Sequence, residues 1–140
     1  MSFESLIKKS VAKTGEPIKL KRRNAQPEAI EQAKVIAWAI ANERNYPYLQ
    51  LLHCSLNGVK MTKAQAGRAI AQGMKKGVAD LFLPVKMGIY GGLYIEMKSE
   101  KGRTSIDQSK FLKAVSDNGY AVSVCYSANE AIKRIEDYYQ

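Results

Sequence analysis

Histidine and cysteine are scarce in this 140-residue chain: one histidine, His53, and two cysteines, Cys54 and Cys125. Structural zinc sites draw on several such ligands at close spacing, so a zinc module is excluded. Two cysteines 71 residues apart do not make a disulfide framework either. Each lies in an apolar run, and both read as small core residues of a reduced, cytosolic protein. His53 has no second histidine to ligate a metal with, which leaves it a core or phosphate-facing role. No apolar stretch approaches the roughly 20 residues that span a bilayer. The charged N-terminus lacks the apolar segment of a signal peptide, so no membrane partner is expected. The chain shows no internal repeat and no low-complexity tract.

Negative charge is also in deficit. Thirteen acidic residues stand against 22 basic ones, for a formal net charge of +9. Such an excess favours a polyanionic partner, of which nucleic acid is the simplest, although a basic surface alone does not separate binding from cutting. The excess is concentrated in residues 1–26, where seven lysines and arginines face two glutamates. This basic N-terminal arm includes Lys21, Arg22 and Arg23 and has few large apolar residues. It reads as an extended nucleic-acid-binding segment, with a merely solubilising tail as the alternative. Residues 27–140 are expected to form one domain.

Within that domain Pro27 suits the first turn of a helix, with Glu28 and Glu31 near its positive end. The helix is apolar around much of its circumference and is expected to be largely buried. A strand is expected over 49–54, followed by a turn at Asn57-Gly58. Thr62 is a plausible N-cap for a second helix reaching Gly77, whose small residues allow close approach to a sheet or a second backbone. Strands are expected over 80–85 and 93–99, paired as a hairpin across a glycine-rich loop. Ser105 is placed to cap a third helix, residues 120–126 form a fourth strand, and a last amphipathic helix begins at Ala128. This order predicts an α/β domain, a small mixed β-sheet flanked by helices.

Chemistry concentrates in two of these strands. In Leu93-Tyr94-Ile95-Glu96-Met97-Lys98, the period of two sends Glu96 and Lys98 to the same face. Asp80 ends the glycine-rich stretch before the neighbouring strand and falls at the near end of that space. Asp80, Glu96 and the Met97 main-chain carbonyl are hard oxygen donors suited to Mg²⁺ or Mn²⁺. Such a cation polarises a phosphoryl oxygen and acidifies a water, with Lys98 holding that water or neutralising developing charge. Read from spacing alone, the motif is equally a surface Glu–Lys pair. Gln108, in the first turn of the third helix, is within reach of the same space. Glu31 is the preferred further acid from the first helix, with Glu28 in reserve. Lys101 and Arg103 suit phosphate contacts, and Tyr90, in the glycine-rich loop, is a candidate for stacking on a base.

The runs Gly77-Val78-Ala79-Asp80-Leu81, Tyr94-Ile95-Glu96-Met97-Lys98 and Ser105-Ile106-Asp107-Gln108 together resemble the VRR-NUC nucleases, a branch of the PD-(D/E)XK phosphodiesterase superfamily. The resemblance spans about residues 28–138 and includes Glu31-Gln32, Leu51-Leu52-His53, Asn57-Gly58 and Gly119-Tyr120-Ala121-Val122. Ala79 stands where proline is common, and the valine-arginine-arginine signature is replaced by Val122-Ser123-Val124-Cys125. The resemblance implies a restriction-endonuclease-like core and Mg²⁺- or Mn²⁺-dependent hydrolysis of DNA leaving a 5′-phosphate. It also implies metal-binding acids at Asp80 and Glu96, a catalytic lysine at Lys98, a motif glutamine at Gln108 and a first-helix acid at Glu31. Short single-domain members look like phage or prophage proteins working in a bacterial cytoplasm. They resemble Holliday-junction resolvases, which act on branched DNA as homodimers. A monomeric flap or single-strand nuclease and a catalytically silent DNA-binding subunit are the alternatives.

Overall fold

A computed structural model describes residues 27–56 and 59–140. The basic arm, with Lys21, Arg22 and Arg23, and the Asn57-Gly58 turn lie outside the described residues. The elements are α1 (Pro27–Asn42), a 3₁₀ turn (Pro47–Leu51), β1 (His53–Cys54), α2 (Lys63–Ala71), β2 (Leu81–Leu83), β3 (Leu93–Met97), α3 (Ile106–Asp117), β4 (Ala121–Cys125) and α4 (Ala128–Tyr138). The four strands form one mixed sheet in the order β1-β2-β3-β4. β1, β2 and β3 run antiparallel in turn, and β4 returns parallel to β3. That last pairing requires a crossover, and α3 supplies it. The α/β architecture inferred from the chain is the one observed.

Leu81, Leu83, Leu93, Ile95 and Met97 lose all solvent exposure. Their alternation along β2 and β3 sends them to one face of the sheet, where α1 and α4 cover them through Val35, Ala39, Ala131 and Ile135. The opposite face carries a half-buried aromatic layer. Phe82 stacks on Tyr94 with ring centroids 4.1 Å apart, and Phe111 of α3 meets Tyr94 edge-on at 5.2 Å.

Several expectations are corrected. Residues 49–54 do not form one strand. Pro47 starts a 3₁₀ turn in which Leu49 and Leu52 are buried while Leu51 is half exposed, a spacing of three rather than two. Only His53 and Cys54 then pair with β2. α1 buries a single stripe, Val35 and Ala39, and leaves Ile30 and Ile40 exposed, because it is covered on one side only. α2 is shorter than expected and has no buried residue; a Cβ at Gly67 would meet nothing within 4 Å. Among the described residues Gly67 therefore serves no close approach. Cys125 is buried, but Cys54 is exposed. Among the described residues no helix is long and apolar enough to cross a membrane.

Candidate active site

Strand register builds the site. Leu81 faces Ile95 across the β2–β3 ladder, and one step further the same register sets Asp80 opposite Glu96. Asp80 is locked there because the Met97 N–H donates to its Oδ2 at 2.7 Å. Glu96 is 1% exposed and Lys98, two residues on, 8% exposed. The Lys98 Nζ stands 3.5 Å from Glu96 Oε1. The reading of Glu96 and Lys98 as an exposed surface pair therefore fails: both are buried on the same side of one strand.

Gln108 is oriented by the start of α3. Ser105 and Gln108 form a capping box: the Gln108 N–H donates to Ser105 Oγ (3.2 Å) and the Ser105 N–H to Gln108 Oε1 (2.8 Å). With its oxygen committed, the amide can only present its nitrogen, and Nε2 donates to Glu96 Oε1 at 2.8 Å. Helix capping and site positioning are thus one hydrogen-bond network. Glu96 Oε2, by contrast, is buried and receives no hydrogen bond from any donor.

The electrostatics follow from this crowding. Burial and then the Asp80 charge push the Glu96 carboxyl up from 4.5 to about 8, against the opposing pull of the Lys98 ammonium. Asp80 is also raised, first by burial, with the charge of Glu28 adding to it and the Met97 N–H, Glu96 and Lys98 opposing. Two carboxyls side by side do not both ionise readily unless a cation joins them.

A cavity of about 400 Å³ opens beside the pair, lined by Glu28, Gln32, Cys54, Ser55, Gly77, Asp80, Glu96 and Gln108 among others. Gly77 holds its wall in a way no other residue would. Its φ is +82°, and a Cβ there would sit 2.5 Å from the main-chain carbon and oxygen of Asp107. The loop before Asp80 therefore rests directly on the backbone of α3.

Of the two acids at the start of α1, Glu28 faces the cavity and Glu31 does not. Glu28 lines the cavity and accepts the Ser99 N–H at 3.2 Å. Glu31 is turned toward α4, where its Oε2 accepts the Ala128 N–H at 2.8 Å and its Oε1 meets Lys34 at 3.1 Å. The Ala128 bond, then Lys34, holds the Glu31 carboxyl below its ordinary range. Three residues along a helix turn the side chain about 60° short of a full circle, enough to assign one glutamate to the cavity and the other to helix capping. Tyr90 is likewise displaced from the site. The loop carrying it joins the end of β2 to the start of β3, whereas Asp80 precedes β2 and Glu96 ends toward the other side; Tyr90 neighbours Tyr138 instead, at 6.4 Å. Lys101 and Arg103 are exposed on the turn between β3 and α3. His53 is exposed, with Nδ1 2.9 Å from the Leu51 carbonyl oxygen.

The donors present fit a hard divalent cation. Asp80 and Glu96 offer carboxylate oxygens, one of them unpartnered, and the Met97 main chain borders both. Among the described residues no group of three or more His, Cys, Asp or Glu is placed to hold a metal ion, so the protein ligands would be Asp80 and Glu96. Gln32, Ser55 and Glu28 are cavity residues that sequence reasoning missed or ranked second. For Ser55 the available signal was its place two residues beyond His53 in a strand.

A mixed sheet carrying an Asp, a Glu and a buried Lys at adjacent strand ends defines a nuclease-type α/β domain. The model of the VRR-NUC domain family matches residues 18–129, and the chain belongs to that family. A solved structure of a VRR_NUC domain protein superposes with a TM-score of 0.67 at 23% identity, covering 82% of this chain and 89% of that one. At that identity the likeness is one of fold. No curated protein matches the chain.

Proposed function

We propose that the chain is a metal-dependent, structure-selective DNA endonuclease that hydrolyses phosphodiester bonds in branched DNA, in the manner of a Holliday-junction resolvase. The observation that carries the reading is the burial of Glu96, 1% exposed, opposite a second acid, Asp80, and beside 8%-exposed Lys98. A bound Mg²⁺ or Mn²⁺ supplies polarisation of the phosphoryl oxygen and an acidified water. Asp80 and Glu96 hold it, with Glu28 across the cavity; Gln108 fixes the Glu96 carboxylate through Oε1. Lys98 places a positive charge where negative charge grows on the phosphate. Lys101, Arg103 and the basic arm meet the DNA backbone. The reading includes a homodimer, because a four-way junction needs two matched cuts and a two-fold pair of sites supplies them. Two free cysteines agree with a reducing bacterial cytoplasm, and a phage or prophage source accompanies the short domain.

The test is cleavage of a four-way junction beside flap, single-stranded and linear duplex controls, with Mg²⁺, with Mn²⁺ and with EDTA. Paired symmetric nicks in the junction that EDTA abolishes are expected. Cleavage of the flap or single strand alone would replace the resolvase reading with a flap nuclease. DNA binding without cleavage of any form would make the chain a silent binding subunit.

A further inference from the structure

Among the described residues two buried side-chain polar atoms lack a hydrogen-bond partner, Glu96 Oε2 and Ser55 Oγ. Buried polar atoms left unpaired are uncommon and each calls for a cause. The residues that carry them, Glu96 and Ser55, line the same cavity. They also share a row of the sheet. His53 faces Phe82 and Cys54 faces Leu81 across β1 and β2, and the next step pairs Ser55 with Asp80, sealed by the Ser55 N–H donating to the Asp80 carbonyl at 2.9 Å. Asp80 in turn stands opposite Glu96. The row Ser55–Asp80–Glu96 thus crosses three strands, its outer members about 10 Å apart at two inter-strand spacings. The unpaired atoms flank Asp80 on either side.

Glu96 Oε2 is accounted for by a cation. Ser55 Oγ lies on the other side of Asp80, and a hydroxyl there is a donor as well as an acceptor. The groups that enter this cavity with a cation are phosphate oxygens, which are anionic acceptors. We infer that Ser55 is a substrate-binding residue whose hydroxyl donates to a phosphate oxygen of the bound DNA strand, on the side of Asp80 away from Glu96. The inference rests on the nuclease reading and assigns that site a contact beyond its acids and lysine. Among the described residues the hydroxyl has no hydrogen-bond partner, and a donor left unpaired on desolvation gains one on binding.

This gives Ser55→Ala two opposite signatures. Removing an unpaired buried hydroxyl leaves the metal-free protein as stable as before or more so. Removing a hydrogen bond to a charged oxygen weakens DNA binding about tenfold. Ser55→Thr retains the hydroxyl in a strand-compatible side chain and is expected to stay within threefold of the unsubstituted protein. The experiment uses the full-length chain: thermal unfolding without metal, and titration of a fluorescent four-way junction in Ca²⁺, followed by cleavage in Mg²⁺. Equal junction affinity for the serine and alanine proteins would overturn the inference. So would a fall of several degrees in the metal-free melting temperature of Ser55→Ala, which would assign the hydroxyl to the adjoining hollow under α2 that Ser55 also lines. An unsubstituted protein that neither binds nor cleaves DNA would remove the nuclease reading together with this one. Binding that is insensitive to Ser55 removes this one alone.

Discussion

Glu96 answers to opposite demands in the free and the loaded site. Buried beside Asp80 it holds its proton up to about pH 8, and it would have to release that proton to hold the proposed cation. A carboxyl whose folded-state pKa is raised from 4.5 to about 8 stabilises the fold below pH 4.5 and loses that contribution as pH rises through 8. The metal-free melting temperature is therefore expected to fall between about pH 5 and 9. In Glu96→Gln, which cannot ionise, the decline should be shallower, and scanning calorimetry across that range checks both. Added Mn²⁺ should restore more stability at pH 8 than at pH 5, because at pH 8 fewer protons must be displaced. Asp80→Asn, Glu96→Gln and Lys98→Ala should each lower turnover at least about 100-fold while leaving the fold intact. Full activity of Lys98→Ala would remove the lysine from the reaction. Asp80, Glu96 and Lys98 were legible because strand alternation, unlike helix phase, allows only two faces. Glu28 and Glu31 were not separable, because both occupy the start of one helix and only the position of α4 decides which of them it claims.

Between elements, contact geometry matters more than composition. Gly77 joins the loop before β2 to the α3 backbone, and Gly67 lies in α2 with open space around it. Gly77→Ala should destabilise the protein by about 1–3 kcal/mol, since it meets both a positive φ and a main-chain clash. Gly67→Ala should stabilise it by about 0.5–1 kcal/mol through helix propensity alone. Urea denaturation of the two variants gives the comparison, and equal effects would refute it. The same contrast explains the uneven legibility of the elements. β3, α3 and α4 carry a local cap or a clear period and stand close to where the chain places them. The stretch after Tyr46 misled because its leucines and histidine suit a strand, whereas Pro47 and burial at every third position make a 3₁₀ turn.

At the scale of the molecule, charge and chemistry are held in different parts of the chain. Residues 1–26 carry +5 of the net +9, while Asp80, Glu96 and Lys98 lie within the folded domain. With a slope of roughly −0.9 in log affinity against log salt per phosphate engaged, losing even two or three contacts is measurable. Deleting residues 1–26 should weaken DNA binding and flatten its salt dependence without moving the cut positions. An unchanged slope would make the arm a solubilising tail, and shifted cuts would give it a part in reading DNA shape.

The absence of any buried residue in α2 has a consequence for how the molecule opens. A helix that anchors no side chain in the core can lose its hydrogen bonds without disturbing the sheet, so its opening free energy is set locally. β3 lies between two paired strands and carries the fully buried Leu93, Ile95 and Met97, so its amides are released only when the whole domain unfolds. In hydrogen exchange the chain should divide into two tiers, α2 exchanging early and β3 last. The strand that bears Glu96 belongs to the slow tier, which places that buried carboxyl on the part of the molecule that yields last.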